Sequence, residues 1–251
     1  MKLTIRFETA PNIPPPYAYQ YELALEASSE ALLANLRLTY LDREDLELDE
    51  IEAEGFSEND DYAWRGSLDA AWREQVEQLV EKTTLKAEAN TTDNDDFVEL
   101  EIQTDEKSTT GAPKNRRDWL YMAQELLQAV LETAGKDRPF ELQVLENNQT
   151  TTLEAVITAS FKQRSAQVKR VENGKSALRY YPWHTLPQLM ETLYAPDYET
   201  ENLPTKKPTQ KGLFVNIGDG FWYEIGTHIV EPGKHAKTLP KLEKMLLELL
   251  G

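Results

Sequence analysis

"LFVNIGDGFWYEIGTHIV", residues 213–230, decides between two readings of a glycine-rich loop. In a dinucleotide-binding fold the glycines open a helix; in an antiparallel fold they close a hairpin. The residues after Gly220, "FWYEI", are aromatic and β-branched strand material, so the hairpin reading holds. With Gly218, Asp219 and Gly220 as a three-residue loop, Ile217 faces Phe221, Val215 faces Tyr223 and Leu213 faces Ile225. All six then point to one side, which is the expected core face. Phe214, Asn216, Trp222 and Glu224 share the opposite side, where either a helix covers them or they form an aromatic and polar binding patch.

Outward from this hairpin, the second half reads as more of the same. "AQVKRV" and "SALRYY" flank "ENGK", whose Asn173–Gly174 pair is a strong hairpin signal. "PFELQVLE" and "TTLEAVITASF" are strands joined by "NNQT". "TLPQLMETL" at 185–193 and "TLPKLEKML" at 238–246 repeat one pattern, threonine as a cap and proline in the first helical turn. Each follows a hairpin, which suggests two hairpin-then-helix units. Between them, "YAPDYETENLPTKKPTQKG" is a long polar loop of the kind that is often mobile or functional.

In the first half, "KLTIRFE" and "YAYQYELAL" form the simplest hairpin, with Tyr17, Tyr19, Tyr21, Leu23 and Leu25 in a period of two. "NLRLTYL" continues the alternation, although "SSEALLA" before it could equally start a helix. "DYAWRGSL" is a further strand, "DAAWREQVEQLVEKT" an amphipathic helix carrying Trp72, Val76, Leu79 and Val80, and "FVELEIQT" an acidic strand. The polar "DEKSTTGAPKN" marks the expected boundary, giving an acidic α+β subdomain over 1–108 and a second over 109–251. The second opens with the helix "RRDWLYMAQELLQAVLETAG", stopped by Gly135. The fold class expected is α+β, antiparallel hairpins and sheets packed against a few helices in two subdomains.

Charge is placed unevenly. The formal charge is −17 with 44 acids and 27 bases. "DREDLELDEIEAEGFSENDD", 42–61, holds eleven acids and one arginine, and "DNDDFVELEIQTDE", 93–106, holds seven acids and no base, so these two windows carry the whole imbalance. Such a field attracts a basic partner and repels phosphate and anionic membranes. The expected partner is therefore a basic protein, met by Glu47, Asp49, Glu50, Glu52 and Glu54; the plain alternative is a solvated face that keeps the chain soluble. No oligomeric state follows from the sequence.

Most catalytic chemistries find no purchase. Cysteine is absent, which removes disulfides, thiolate catalysis and cysteine metal sites. "NGKS" at 173–176 lacks the upstream glycine of a phosphate loop, and "DNDDFVELEIQT" lacks the central glycine and final glutamate of a calcium loop. Only His184, His228 and His235 titrate near neutral pH, and none is spaced as a helical metal pair. No nucleophile elbow is present, and with so many acids a carboxylate pair is no evidence of glycoside chemistry. No catalytic residue, cofactor or metal site is expected. The absence of a signal-peptide core or a membrane-length apolar run points to a soluble cytoplasmic protein, with separate export as the alternative.

The first expectation of function is a non-catalytic interaction protein, an inhibitor, immunity-like factor or adaptor, whose acidic first half binds a basic partner. The second is an enzyme or small-ligand binder using Trp183, His184, Phe214, Asn216, Trp222, Glu224 and His228. Nucleic-acid binding comes third: "FKQRSAQVKR" and "TKKPTQK" are locally basic, but the overall field opposes it.

Overall fold

Alternation at Tyr21, Leu23 and Leu25 produces the hairpin that opens the chain, β1 (Lys2–Glu8) and β2 (Tyr19–Ala27), in the register Ile5↔Leu23 and Phe7↔Tyr21. This computed structural model describes residues 1–28, 31–87, 92–104, 107–148, 150–172, 174–233 and 236–251. The architecture is α+β, and the chain forms two compact units: Met1–Asp137 with Phe161–Gln163, and Arg138–Ser160 with Arg164–Gly251.

The first unit continues with β3 (Leu32–Tyr40), α1 (Leu48–Ala53), β4 (Tyr62–Leu68), α2 (Ala70–Glu81), β5 (Leu85–Lys86), β6 (Phe97–Gln103), β7 (Ser108–Pro113) and α3 (Arg116–Thr133). Its antiparallel sheet has the order β4-β3-β2-β1-β6-β7-β5. Leu3, Ile5, Leu23, Leu36 and Leu100 are buried on one face, where α3 packs against β1, β4, β6 and β7. Trp119, Met122, Leu126, Leu127 and Val130 are the buried stripe of α3, and each such side chain contributes about 1.5–3 kcal/mol on leaving water. Asp69 caps α2 by accepting from the Ala71 amide; Trp72 and Val76 are buried, with Leu79 and Val80 only half-buried. The Trp72 indole donates to the Phe161 carbonyl at 2.7 Å, and the buried Glu132 carboxylate accepts from the Phe161 and Lys162 amides. These bonds place residues 161–163 with the first unit.

One open alternative is decided and one expectation changes here. Of the two readings left open around "SSEALLA", the strand holds from Leu32, because Leu32, Ala34, Leu36 and Leu38 all face the core from β3; Ser29 and Glu30 lie outside the described residues. The polar stretch expected to divide the chain near residue 110 contains β7, paired with β6 through Leu100↔Gly111 and Ile102↔Thr109; Asp105 and Glu106 lie outside the described residues. Strand pairing needs only extended backbone, and Gly111 serves close approach: a Cβ there would collide with the Lys86 carbonyl of β5. The division falls instead after Asp137, once α3 has ended and Gly135 has turned the chain at φ 68°.

The second unit comprises β8 (Phe140–Asn147), β9 (Thr152–Ser160), β10 (Ser165–Glu172), β11 (Lys175–Tyr181), α4 (Leu186–Leu193), β12 (Asp197–Tyr198), β13 (Gly212–Asn216), β14 (Tyr223–Glu224), β15 (Ile229–Val230) and α5 (Thr238–Leu250). The sheet order is β11-β10-β9-β8-β13-β14, with β12 and β15 paired apart. Both predicted hairpins form, β8–β9 and β10–β11; Gly174 takes φ 76°, and Asn173 lies outside the described residues. Ala155, Ile157, Ala166 and Val168 are fully or almost fully buried, and α5 packs over β8, β9 and β10, with α4 beside it.

The repeated Thr-Leu-Pro segments do become helices, but neither threonine caps one by its side chain. Thr185 Oγ1 donates to the Pro182 carbonyl, and Thr238 lies inside α5, where its amide and hydroxyl donate to Glu231 at 2.9 and 2.6 Å. Glu231 also accepts from the Leu239 amide, so a carboxylate from before the helix serves the donors that an N-cap residue would.

Candidate functional site

The sole base in the first acidic window does not reach the surface. Arg43 is 8% exposed, and its guanidinium lies 3.8 Å from the Tyr40 ring centroid and 4.7 Å from that of Phe56. It donates to Asp60 at 2.6 Å and to the Ser57 and Pro16 carbonyls at 3.0 and 3.3 Å. Burial works to raise the Asp60 carboxyl, but hydrogen bonds from Ser57 and Arg43 outweigh it and hold the group below its ordinary range. Tyr17 packs edge-on to Phe56 and Tyr19 against Tyr40, completing an aromatic floor. Burial pushes the Tyr19 and Tyr40 phenols up. The sequence reading missed this arrangement; the available signal was one arginine among acids, set between Tyr40 and Phe56.

Between Arg43 and Phe56 the chain forms α1, with Ile51 as its buried residue. Glu47 at its N-cap and Glu50 form a reciprocal capping box, with the Glu47 amide donating to Glu50 at 3.0 Å. Acids at this end also suit the helix dipole. Glu52 and Glu54 have no such reason, since they stand at the C-terminal end where the dipole disfavours them. Tyr17 donates its hydroxyl to Glu54. Glu47, Asp49, Glu50, Glu52 and Glu54 are all exposed, and among the described residues none of them forms an ion pair.

The second acidic window behaves differently. Glu99 and Glu101, with Glu22, surround Arg6 at 3.0 to 3.3 Å. Asp95 pairs with Arg116 at 3.4 Å, and Asp96 accepts from the Ala10 amide at 2.9 Å. Asp105 and Glu106 lie outside the described residues. Two bases distant in sequence, Arg6 and Arg116, thus pair with Glu99, Glu101 and Asp95 of this window, whereas in the first window, among the described residues, only Asp60 is paired, by the window's own Arg43.

The hairpin of residues 213–230 has the expected register at its centre, Val215↔Tyr223, and the Ile225 amide donates to the Leu213 carbonyl at 2.9 Å. Val215 and Tyr223 are buried as expected, but Phe221 is 39% exposed. The opposite side is buried too. Phe214 and Trp222 are 1% and 7% exposed and pack with Leu145. The Trp222 amide donates to the Pro204 carbonyl and the Asn147 side chain to that of Pro208, so the polar loop before β13 is held against this part of the sheet. Asn216 accepts from the Gly218 amide at 2.8 Å, and Glu224 is half-buried. Asp219 accepts from the Tyr223 hydroxyl at 2.5 Å; burial first, then Asp219, leaves that phenol pushed up to about 12.

His228 Nδ1 accepts from the Glu224 amide at 3.1 Å, which ties the turn into β15. His184 is exposed, and Trp183 beside it is buried with the Arg164 guanidinium 5.5 Å from its ring. Phe214 and Trp222 form a buried cluster with Leu145 that does not include Trp183. His235 lies outside the described residues. Among the described residues no group of three or more histidine and acidic side chains could hold a metal ion, and no helix is long and apolar enough to cross a membrane. Comparison with protein-family models, with curated proteins and with solved structures finds no match for this chain.

Proposed function

We propose that the chain is an interaction protein that binds a basic partner through the acidic surface of α1 and its flanks. One observation carries this reading: Arg43, the only base among eleven acids of this window, is turned inward onto Tyr40 and Phe56, while the five carboxylates of α1 and its caps face solvent and form no ion pair among the described residues. Like charges held close oppose folding by a few tenths of a kcal/mol per neighbouring pair. The arrangement costs some stability and yields a directional field that speeds encounter with a cation-rich surface.

The test replaces Glu47, Glu50, Glu52 and Glu54 with glutamine and Asp49 with asparagine, which preserves side-chain size and the oxygen acceptors of the capping box. Parent and variant are used to capture proteins from the source cell at low and high salt. A basic protein held by the parent, released as the Debye length falls from about 10 Å at 0.1 M to about 3 Å at 1 M, and not held by the variant, supports the proposal. Identical captures with identical salt sensitivity refute it.

A further inference from the structure

The second unit carries a surface of opposite character. β11 closes its sheet on one side and pairs with β10 alone. Every residue of β11 but Tyr181 is exposed; Leu178 and Tyr180 reach 65% and 68%. An open strand edge offers a row of unpaired amides and carbonyls, and large apolar side chains beside it add burial for whatever pairs there.

The two faces of this edge differ. Leu178 and Tyr180 share one face by strand parity. Lys175, Arg179 and Tyr181 share the other, and a groove of about 490 Å³ runs between β11 and the helices, lined in part by Arg179, Tyr180, Tyr181, Lys241, Lys244 and Glu248. Arg179 is committed to the end of α5, donating to the Glu248 and Leu249 carbonyls at 3.0 and 3.3 Å, and Lys244 pairs loosely with Glu248 at 3.8 Å. Among the described residues Lys175 and Lys241 have no ion pair. The charge is local and strong: residues 162–179 hold six bases and one acid in a chain whose formal charge is −17.

We infer that the β11 edge is a strand-addition site for an extended acidic segment of a partner protein, its carboxylates alternating with apolar residues. Added beside β11, such a segment turns its acids toward Lys175 and Lys241 and its apolar residues toward Leu178 and Tyr180. A second copy of this chain is a poor occupant, since edge-to-edge pairing sets two basic hairpins side by side. This site is independent of the acidic surface of α1, for it lies in the other unit and selects the opposite charge.

The probe is a fluorescein-labelled octapeptide alternating glutamate with valine and leucine, with a lysine counterpart and two versions N-methylated on alternate amides, odd or even. Because a strand added at an edge presents only every second residue's amide to its neighbour, one N-methyl series should lose binding at least tenfold and the other should retain it. The lysine peptide should not bind, the double variant Lys175→Glu/Lys241→Glu should weaken the glutamate peptide at least tenfold, and amide exchange should slow along Lys175–Tyr181. Equal binding of both N-methyl series would reveal charge adsorption and overturn the inference. So would no binding up to millimolar peptide, or a parent that sediments as a dimer lost on Tyr180→Glu.

Discussion

Removing the Arg43 side chain should destabilise the first unit by far more than a surface arginine would. The guanidinium makes two good charged hydrogen bonds, to Asp60 at 2.6 Å and the Ser57 carbonyl at 3.0 Å, and a weaker one to Pro16 at 3.3 Å. A hydrogen bond to a charged group contributes about 1.5–3 kcal/mol, and each cation–π contact, here with Tyr40 and Phe56, about 0.5–1 kcal/mol or more. Against this stands desolvation of a side chain only 8% exposed, whose Nε finds no acceptor among the described residues. Asp60 is 31% exposed, so water partly rescues it when its partner is lost. The net expectation for Arg43→Ala is about 2–4 kcal/mol, near the low end for breaking a buried pair. Arg43→Lys keeps a charge near Asp60 but not the planar fork or its stacking, and should lose about half as much.

Urea denaturation followed by tryptophan fluorescence measures both variants. The pH dependence supplies a second readout. Asp60 is held below its ordinary range, so the folded chain takes up this proton less readily than the unfolded one. The stability it contributes is complete above the unfolded carboxylate value, about 3.9, and is lost as pH falls through the folded value. Arg43→Ala should flatten that acid-side loss. A variant within 0.5 kcal/mol of the parent, with an unchanged acid limb, would refute the view that Arg43 is a buried structural cation.

Other perturbations discriminate further features. Gly174→Val should lower the melting midpoint by roughly 2–8 °C, from about 1–2 kcal/mol of backbone strain at φ 76°; nothing lies within 4 Å of a Cβ there, so Gly174→Asn should be much milder, and equal effects would sink the argument. Trp222→Ala should cost about 3–5 kcal/mol as a core truncation, and a loss near zero in denaturant would return Trp222 and Phe214 to the surface. Glu231→Ala should speed amide exchange at Thr238 and Leu239 more than elsewhere in α5. Hydrogen bonds from Thr238, outweighing the smaller opposing effect of burial, hold the Glu231 carboxyl below its ordinary range, so the parent should keep this protection until acid protonates it, and uniform exchange across α5 would count against the cap.

The strands were legible because period two survives in any context: Tyr21, Leu23 and Leu25, or Val98, Leu100 and Ile102, declare a buried face without reference to their neighbours. Turn chemistry was equally local, so Gly174 and the centre of the 213–230 hairpin could be placed by sequence. The chain also declared its total charge and its lack of cysteine. Tertiary structure decided which charges remain free. Arg6 pairs with carboxylates more than ninety residues away in β6, while Arg43 is turned onto Tyr40 and Phe56 and pairs with Asp60, leaving the acids of α1 without it. It decided that Phe214 and Trp222 are buried with Leu145, with the polar loop before β13 hydrogen-bonded beside them, and that β11 stands at an edge. Periodicity and turn chemistry act over a few residues of one chain, whereas burial, pairing and exposure depend on which distant segment arrives alongside.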